Sequence, residues 1–440
     1  MTAEMAILNK EAVALAADSA VTFGRPEGQK VLTSANKIFA LSKYQPVGVM
    51  VYGSAEFMGI PWESVIKVYR AKMGERSFAT LRQYADDLLR FLGKERLVST
   101  DAQQEDYVRS SVYSYFRHIR DGVRAELGAA LGGSKEVGDS RIARLTRRVV
   151  EKHHKLWVEA DLLPTVPKSQ PNVILRKYGR IISKALTEVF ENLPIGKALG
   201  RRLREIGGTL FAKSPGGVVY SGVSGVVVAG FGTEDLFPSL RSFTLEGVAA
   251  NRLKYEERGE QGTEIGFRNA AAIVPFAQSE MVFTFMEGVQ PSYQAAVEKD
   301  LSDIFREYPA VILDNIPKLS EREKGGLKRK LQRVGARLLE QYVKKLKSYR
   351  NANYVEPVID VVAILPKDEL SAMAESLVNL TSFKRKVSVG TETVAGPVDV
   401  AVISRGDGFI WIKRKHYFRA ELNPQFFANY FREADGGKEE

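Results

Sequence analysis

The chain has 440 residues, 44% of them hydrophobic and 27% charged, with no cysteine and a formal net charge of +11. That mix excludes wholesale disorder, and the length allows one large domain or two ordinary ones. The lack of cysteine excludes disulfides, thiolate metal sites, iron–sulfur clusters and cysteine nucleophiles.

The first fifty residues read as strands. MAIL and AVALAA are apolar runs separated by the polar pair Asn9-Lys10, which predicts a hairpin. KIFAL and VGVMVYG are further strand candidates, followed by a helix from Ser54 or Pro61 to Met73, with Pro61 where a first helical turn tolerates proline. Residues 77–206 read as mainly helical, broken by Gly and Ser at 132–140 and by the loop LPTVPKSQP. Strands return in VVYSGVSGVVVAGFG, LRSFTLEGV and AAAIV. Helices are expected over 277–307 and 319–351, and another from Asp368, where acidic residues in the first turn suit the helix dipole. VDVAVIS, the turn RGDG and FIWIK predict a closing hairpin, with Phe409 and Trp411 in the core and Arg405 and Asp407 in the turn. Strands at both ends with helices between predict an α+β fold whose sheets combine N- and C-terminal segments.

Charge is unevenly spread. Residues 108–205 hold 20 Lys/Arg against 10 Asp/Glu, and residues 318–350 hold 12 against 3, leaving −8 over the rest of the chain. Both basic segments show helical apolar spacing. They read either as solvated helix faces or as docking surfaces for an acidic partner. No nucleic-acid-reading motif accompanies them, so nucleic acid is not an expected partner. No apolar run reaches the roughly eighteen residues of a membrane span. The start MTAEMAILNKEAV has no signal-peptide pattern, so a cytoplasmic protein with no membrane partner is expected. His118, His153, His154 and His416 stand outside metal-ligand spacings, which argues against a zinc hydrolase or a Ser-His-Asp triad. No metal and no organic cofactor is indicated.

The opening MTAEMAILNKEAVALAADSAVT followed by NKIFAL resembles the start of mature proteasome β-type subunits. The closing GPVDVAVISRGDGFI resembles the last core hairpin of the same family, and the two stretches stand in the right order. The likeness covers residues 1–75, 215–305 and 355–415. It implies a four-layer αββα sandwich, the N-terminal nucleophile (Ntn) hydrolase fold. Helical insertions would lie at 76–214 and 306–354, with a tail at 416–440. A homo-oligomer acting on a peptide or protein is implied, and the insertions are long enough to dock an ATP-dependent unfoldase or adaptor. There is no Walker A pattern, so the chain does not supply its own motor.

The residues allow matching chemistry. Thr2 directly follows Met1, and a small residue there permits removal of the methionine. A hydroxyl is a weak nucleophile alone. A free α-amine, with a pKa of about 7.7–8, is partly neutral near pH 7 and can take the hydroxyl proton. By resemblance Lys37 is the active-site lysine, whose ammonium holds the amine's pKa down and stabilises developing negative charge. By resemblance too, Asp18 orients that lysine and Gly53 offers a backbone N–H to an oxyanion hole. The expected reaction is acyl transfer through an ester on Thr2, as in a threonine peptidase.

Some features depart from the family. The stretch before the closing hairpin, KRKVSVGTETVAGP, offers Ser388, Thr391, Glu392 and Thr393 where relatives place Asp and Ser. VPFAQSEM replaces a Gly-Ser-Gly, so Gln278 or Ser279 would substitute, and Ala20 stands where many relatives carry a base. Asp399 matches the family hairpin as a structural residue. Two alternatives follow: an amidase or acylase on the same fold, or a non-catalytic binding protein that uses its basic helices.

Overall fold

A computed structural model describes residues 3–23, 30–131, 138–215, 222–316, 319–388, 396–416, 418–425 and 428. Among the described residues the strands are β1 (Ala3–Asn9), β2 (Ala12–Ala17), β3 (Val21–Phe23), β4 (Lys30–Leu32), β5 (Ile38–Ala40), β6 (Val47–Gly53), β7 (Glu56–Phe57), β8 (Ile60–Pro61), β9 (Ser224–Gly230), β10 (Ser239–Ala249), β11 (Arg252–Glu257), β12 (Thr263–Glu264), β13 (Ala271–Ala277), β14 (Asp399–Ser404) and β15 (Gly408–Lys413). The helices are α1 (Trp62–Met73), α2 (Leu81–Lys94), α3 (Asp101–Leu131), α4 (Asp139–Glu159), α5 (Gln170–Val189), α6 (Lys197–Thr209), α7 (Glu280–Glu287), α8 (Pro291–Asp314), α9 (Glu321–Arg350), α10 (Glu356–Val362) and α11 (Lys367–Lys386). This is a mixed α+β fold with antiparallel sheets. The chain divides into two compact units, 1–38 with 265–440 and 39–264.

The first unit holds a five-stranded sheet in the order β13-β1-β2-β14-β15, every pair antiparallel. Its strands come from both ends of the unit's chain. The residues AVALAA of β2 are all buried, because β2 lies in mid-sheet between β1 and β14. Ala3, Met5 and Ile7 of β1 and Ala12, Ala14 and Ala16 of β2 pack under Val282, Val362, Leu370 and Leu377 of α7, α10 and α11. Small residues on the strands let the helices approach closely. Asn9 locks the β1–β2 turn: its Oδ1 accepts N–H bonds from Glu11 (3.0 Å) and Ala12 (3.2 Å), and its Nδ2 donates to the Val362 and Leu365 carbonyls at 3.1 and 2.8 Å. The β14–β15 turn is closed by Asp407, which accepts from Ser404 Oγ at 2.7 Å and pairs with Lys367 at 2.6 Å.

Two expectations change here. The helix expected over 277–307 is two helices, because Gly288 ends α7 and Pro291 opens α8. Phe409 and Trp411 are half-buried rather than core, because β15 is an edge strand. Its alternate residues Ile410 and Ile412 are exposed.

The second unit is built on a sheet in the order β11-β10-β9-β6-β5, with β12 added on β10. One face carries Val47, Val49, Val226, Val228, Phe243 and Leu245 against α1 and α2. Helix α2 shows why: its buried residues, Leu81, Tyr84, Ala85, Leu88, Leu89 and Leu92, recur at three and four. Helices α3 to α6 form a separate bundle centred on Phe116, Trp157, Ile182 and Leu203, which touches the sheet at Ala249. The first basic segment lies on these helices, with its charges outward and its apolar stripe inward. Within the bundle Tyr115 hydrogen-bonds His153 Nδ1 at 2.9 Å. Burial holds His153 well below the ordinary histidine range, at about 4, with His118 adding to the effect.

Candidate functional site

Register brings one end of the first unit's sheet to a point. Ala3 lies opposite Ala277, Glu4 opposite Ala17, and Ala17 opposite Asp399. The first residues of β1, the residues after β2, the end of β13 and the start of β14 therefore gather there.

Asp18 follows directly on β2 and continues the ladder: its N–H donates to the Ala3 carbonyl at 3.1 Å. Its carboxylate turns back along the strand end. Oδ1 accepts the Ala3 N–H at 3.0 Å and the Lys37 ammonium at 2.7 Å, and Oδ2 accepts the Ala20 N–H at 3.2 Å. Asp18 is 1% exposed and Lys37 4%, so the pair is desolvated. A buried carboxylate keeps its charge only when donors surround it, and here an ammonium and two amides do so. Glu4 is also buried, and its Oε1 lies 3.9 Å from Lys37 Nζ. Lys37 thus sits between two carboxylates beside the start of β1.

The bend that aims Asp18 is held by its neighbours. Ser19 Oγ donates to the Pro397 carbonyl at 2.5 Å, and the Ser19 carbonyl accepts the Ala35 N–H at 3.1 Å. Gly396 makes this junction possible. Its φ is +83°, and a Cβ there would lie 2.7 Å from the Thr33 carbonyl oxygen. Ser19, Ala35 and Pro397 therefore fix the segments that carry Asp18 and Lys37. Asp399 is buried at the same sheet end, where it accepts the Lys415 N–H at 2.8 Å and pairs with the Lys415 ammonium. That arrangement anchors the chain leaving β15.

The structure thus brings Asp18 and Lys37 together next to Ala3. Thr2, the residue before Ala3, lies outside the described residues, as do Thr391, Glu392 and Thr393. Gly53 belongs to the second unit, at the end of β6. There its φ is +83° and a Cβ would lie 2.5 Å from the Val223 carbonyl oxygen, so the position accepts only glycine. Gln278 follows Ala277 and is buried; its Oε1 accepts from Arg385. With Glu280, Thr381, Lys384 and Ser388 these two residues line a hollow of about 230 Å³. Ser279 is the residue before α7, and the Ser388 hydroxyl is turned to the Lys384 carbonyl at 2.6 Å. Among the described residues no group of three or more His, Asp or Glu is placed to hold a metal ion. No helix among them is long and apolar enough to cross a membrane.

Sequence reasoning missed Glu4 and Ser19. A charged residue inside the apolar run AEMAIL could have marked Glu4, whereas Ser19 gains its role only from a contact with Pro397, far along the chain. Compared with protein-family models, with curated proteins and with solved structures, the chain finds no match.

Proposed function

We propose that this protein is an N-terminal threonine hydrolase of the Ntn type, with Thr2 as nucleophile once Met1 is removed. The observation that carries the reading is the buried Lys37–Asp18 pair bonded to the Ala3 N–H, the amide that joins residue 3 to Thr2. An acid and a lysine brought together at the first peptide bond are what such chemistry requires. A buried ion pair is costly to maintain for stability alone.

The reaction runs as two acyl transfers. The Thr2 hydroxyl oxygen attacks an amide carbonyl carbon while its proton passes to the Thr2 α-amine. The Lys37 ammonium lowers the energy of the developing charge through the field of a desolvated site. The tetrahedral adduct expels the amine product, which takes the proton, and leaves an ester on Thr2. Water then attacks that ester, giving up a proton to the α-amine; as the acyl–oxygen bond breaks the α-amine returns that proton to the Thr2 oxygen, and the carboxylic acid is released. Asp18 touches no reacting atom; it positions Lys37 and fixes the backbone of residue 3. The hollow beside Gln278 follows the strand residue opposite Ala3 and offers room for a substrate side chain. The resemblance adds Gly53 as an oxyanion donor, a four-layer sandwich and a homo-oligomeric assembly.

The test is hydrolysis of peptide and small acyl-amide reporters by the wild-type chain and by Thr2→Ala and Lys37→Met. The reading expects turnover in the wild type alone. Cleavage of acyl amides but not peptides assigns an amidase. Equal rates in all three chains refute the mechanism.

A further inference from the structure

We infer that the helical hairpin α8–α9 is one half of a four-helix bundle completed by a second copy of this chain. This does not rest on the proposed chemistry. The two helices run antiparallel: Gln294 bonds Arg350 at 2.5 Å, Phe305 meets Gly335, and the Arg306 carbonyl accepts Gln332 Nε2 at 2.8 Å. In the 30 residues of α9 only Gly335 is buried. A helix that long with so little burial is left incomplete by its own chain, since tertiary packing supplies most helical stability.

The exposed residues follow a repeating pattern. On α8, Ile304 and Tyr308 are 57% and 58% exposed, and each directly precedes a residue turned inward, Phe305 and Pro309. On α9, Leu338 and Tyr342 are 51% and 50% exposed and precede Leu339 and Val343 in the same way. One residue is a rotation of about 100°. Because the helices are antiparallel, the same step places both exposed rows on the same face of the hairpin. That face is a broad apolar layer of the kind that marks an interaction site.

Charge identifies the occupant. The residue before each exposed apolar one forms the outer edge of the face. On α8 these are Asp303 and Glu307; on α9 they are Arg333, before Val334, Arg337, before Leu338, and the uncharged Gln341, before Tyr342. Helix α8 as a whole carries five acids against two bases, and α9 eleven bases against three acids. A two-fold axis parallel to the helices lays α8 over the second copy's α9. The acidic edge then meets the basic edge twice, at matching height, since Phe305 is level with Gly335. A two-fold across the helices would set acid against acid. An acidic partner protein would complement α9 but leave the acidic, equally apolar α8 uncovered. A second copy satisfies both helices.

The absence of native cysteine makes the test clean. Chains carrying Ile304→Cys and chains carrying Leu338→Cys are mixed and oxidised, with Lys152→Cys paired with Leu338→Cys as the control. The inference expects a disulfide-linked pair of chains from the first mixture well above the control. By sedimentation, Leu338→Glu with Tyr342→Glu raises the dissociation constant of the self-association about tenfold or more. Circular dichroism should show the helices retained. No cross-link above the control, or self-association unchanged by the paired glutamates, overturns it. A wild-type chain that sediments as a monomer and binds only acidic partners overturns it as well.

Discussion

Replacing Asp18 and Lys37, singly and together, probes the buried cluster most directly. Two unit charges 2.7 Å apart attract by roughly 6 kcal/mol at an effective dielectric of about 20. Desolvation of both groups offsets much of that, so the intact pair adds little net stability, but removing one partner strands the other. That costs about 3–5 kcal/mol. Asp18→Ala belongs at the upper end, because it also strips the Ala3 and Ala20 amides of their acceptor. Lys37→Met belongs at the lower end, because Asp18 keeps both amides. The double variant should cost less than the sum of the singles, with a coupling of about 2–3 kcal/mol. Urea unfolding of the four chains measures it, read by a fluorophore in the first unit because two units need not unfold together. A coupling under about 0.5 kcal/mol would show that the contact is not a buried ion pair and would undo the geometric argument for the site.

Three further outcomes can be checked. Gly53→Ala forces a left-handed non-glycine residue and a Cβ 2.5 Å from the Val223 oxygen, so it should destabilise by about 1–3 kcal/mol in thermal unfolding. Gly396→Ala should cost a similar amount for the same reason at the Thr33 carbonyl, and should also slow reporter hydrolysis by displacing the Ser19–Pro397 junction. His153 is neutral in the fold, with its pKa held down to about 4 from 6.5. An unfolded chain binds a proton there below pH 6.5 and the folded one does not, so this residue's contribution is present above 6.5 and is lost as pH falls from 6.5 to about 4. After allowance for the ring's partial exposure the loss is about 1–2 kcal/mol. His153→Gln should flatten that part of the pH dependence of urea unfolding, and an unchanged slope would contradict the assignment.

Much of the fold could be read from short-range pattern. Asn9-Lys10 between two apolar runs and the RGDG turn each depend on local residues, and each hairpin formed where the pattern lay. Strand β11, RLKYEE, is charged and was missed because an edge strand needs only part of its surface buried. Phe409 and Trp411 were misplaced for the converse reason: apolar residues on a strand do not say whether another strand lies beyond it. The strands of two and three residues carry too few positions for any period to show. In the site, Asp18 and Lys37 stood out through resemblance. Their contact depends on the bend at Ser19, which Pro397 fixes from the other end of the chain. Which strands are neighbours, and so which residues share the sheet end with Ala3, is a property of topology that no local pattern encodes.

Intact mass of the purified protein, before and after an electrophile that reacts with an N-terminal threonine, tests the central claim most directly. The account predicts a chain lighter by Met1 that gains one adduct, with none in Thr2→Ala. A chain that retains Met1, or that loses it and takes up no adduct, would contradict an active N-terminal threonine.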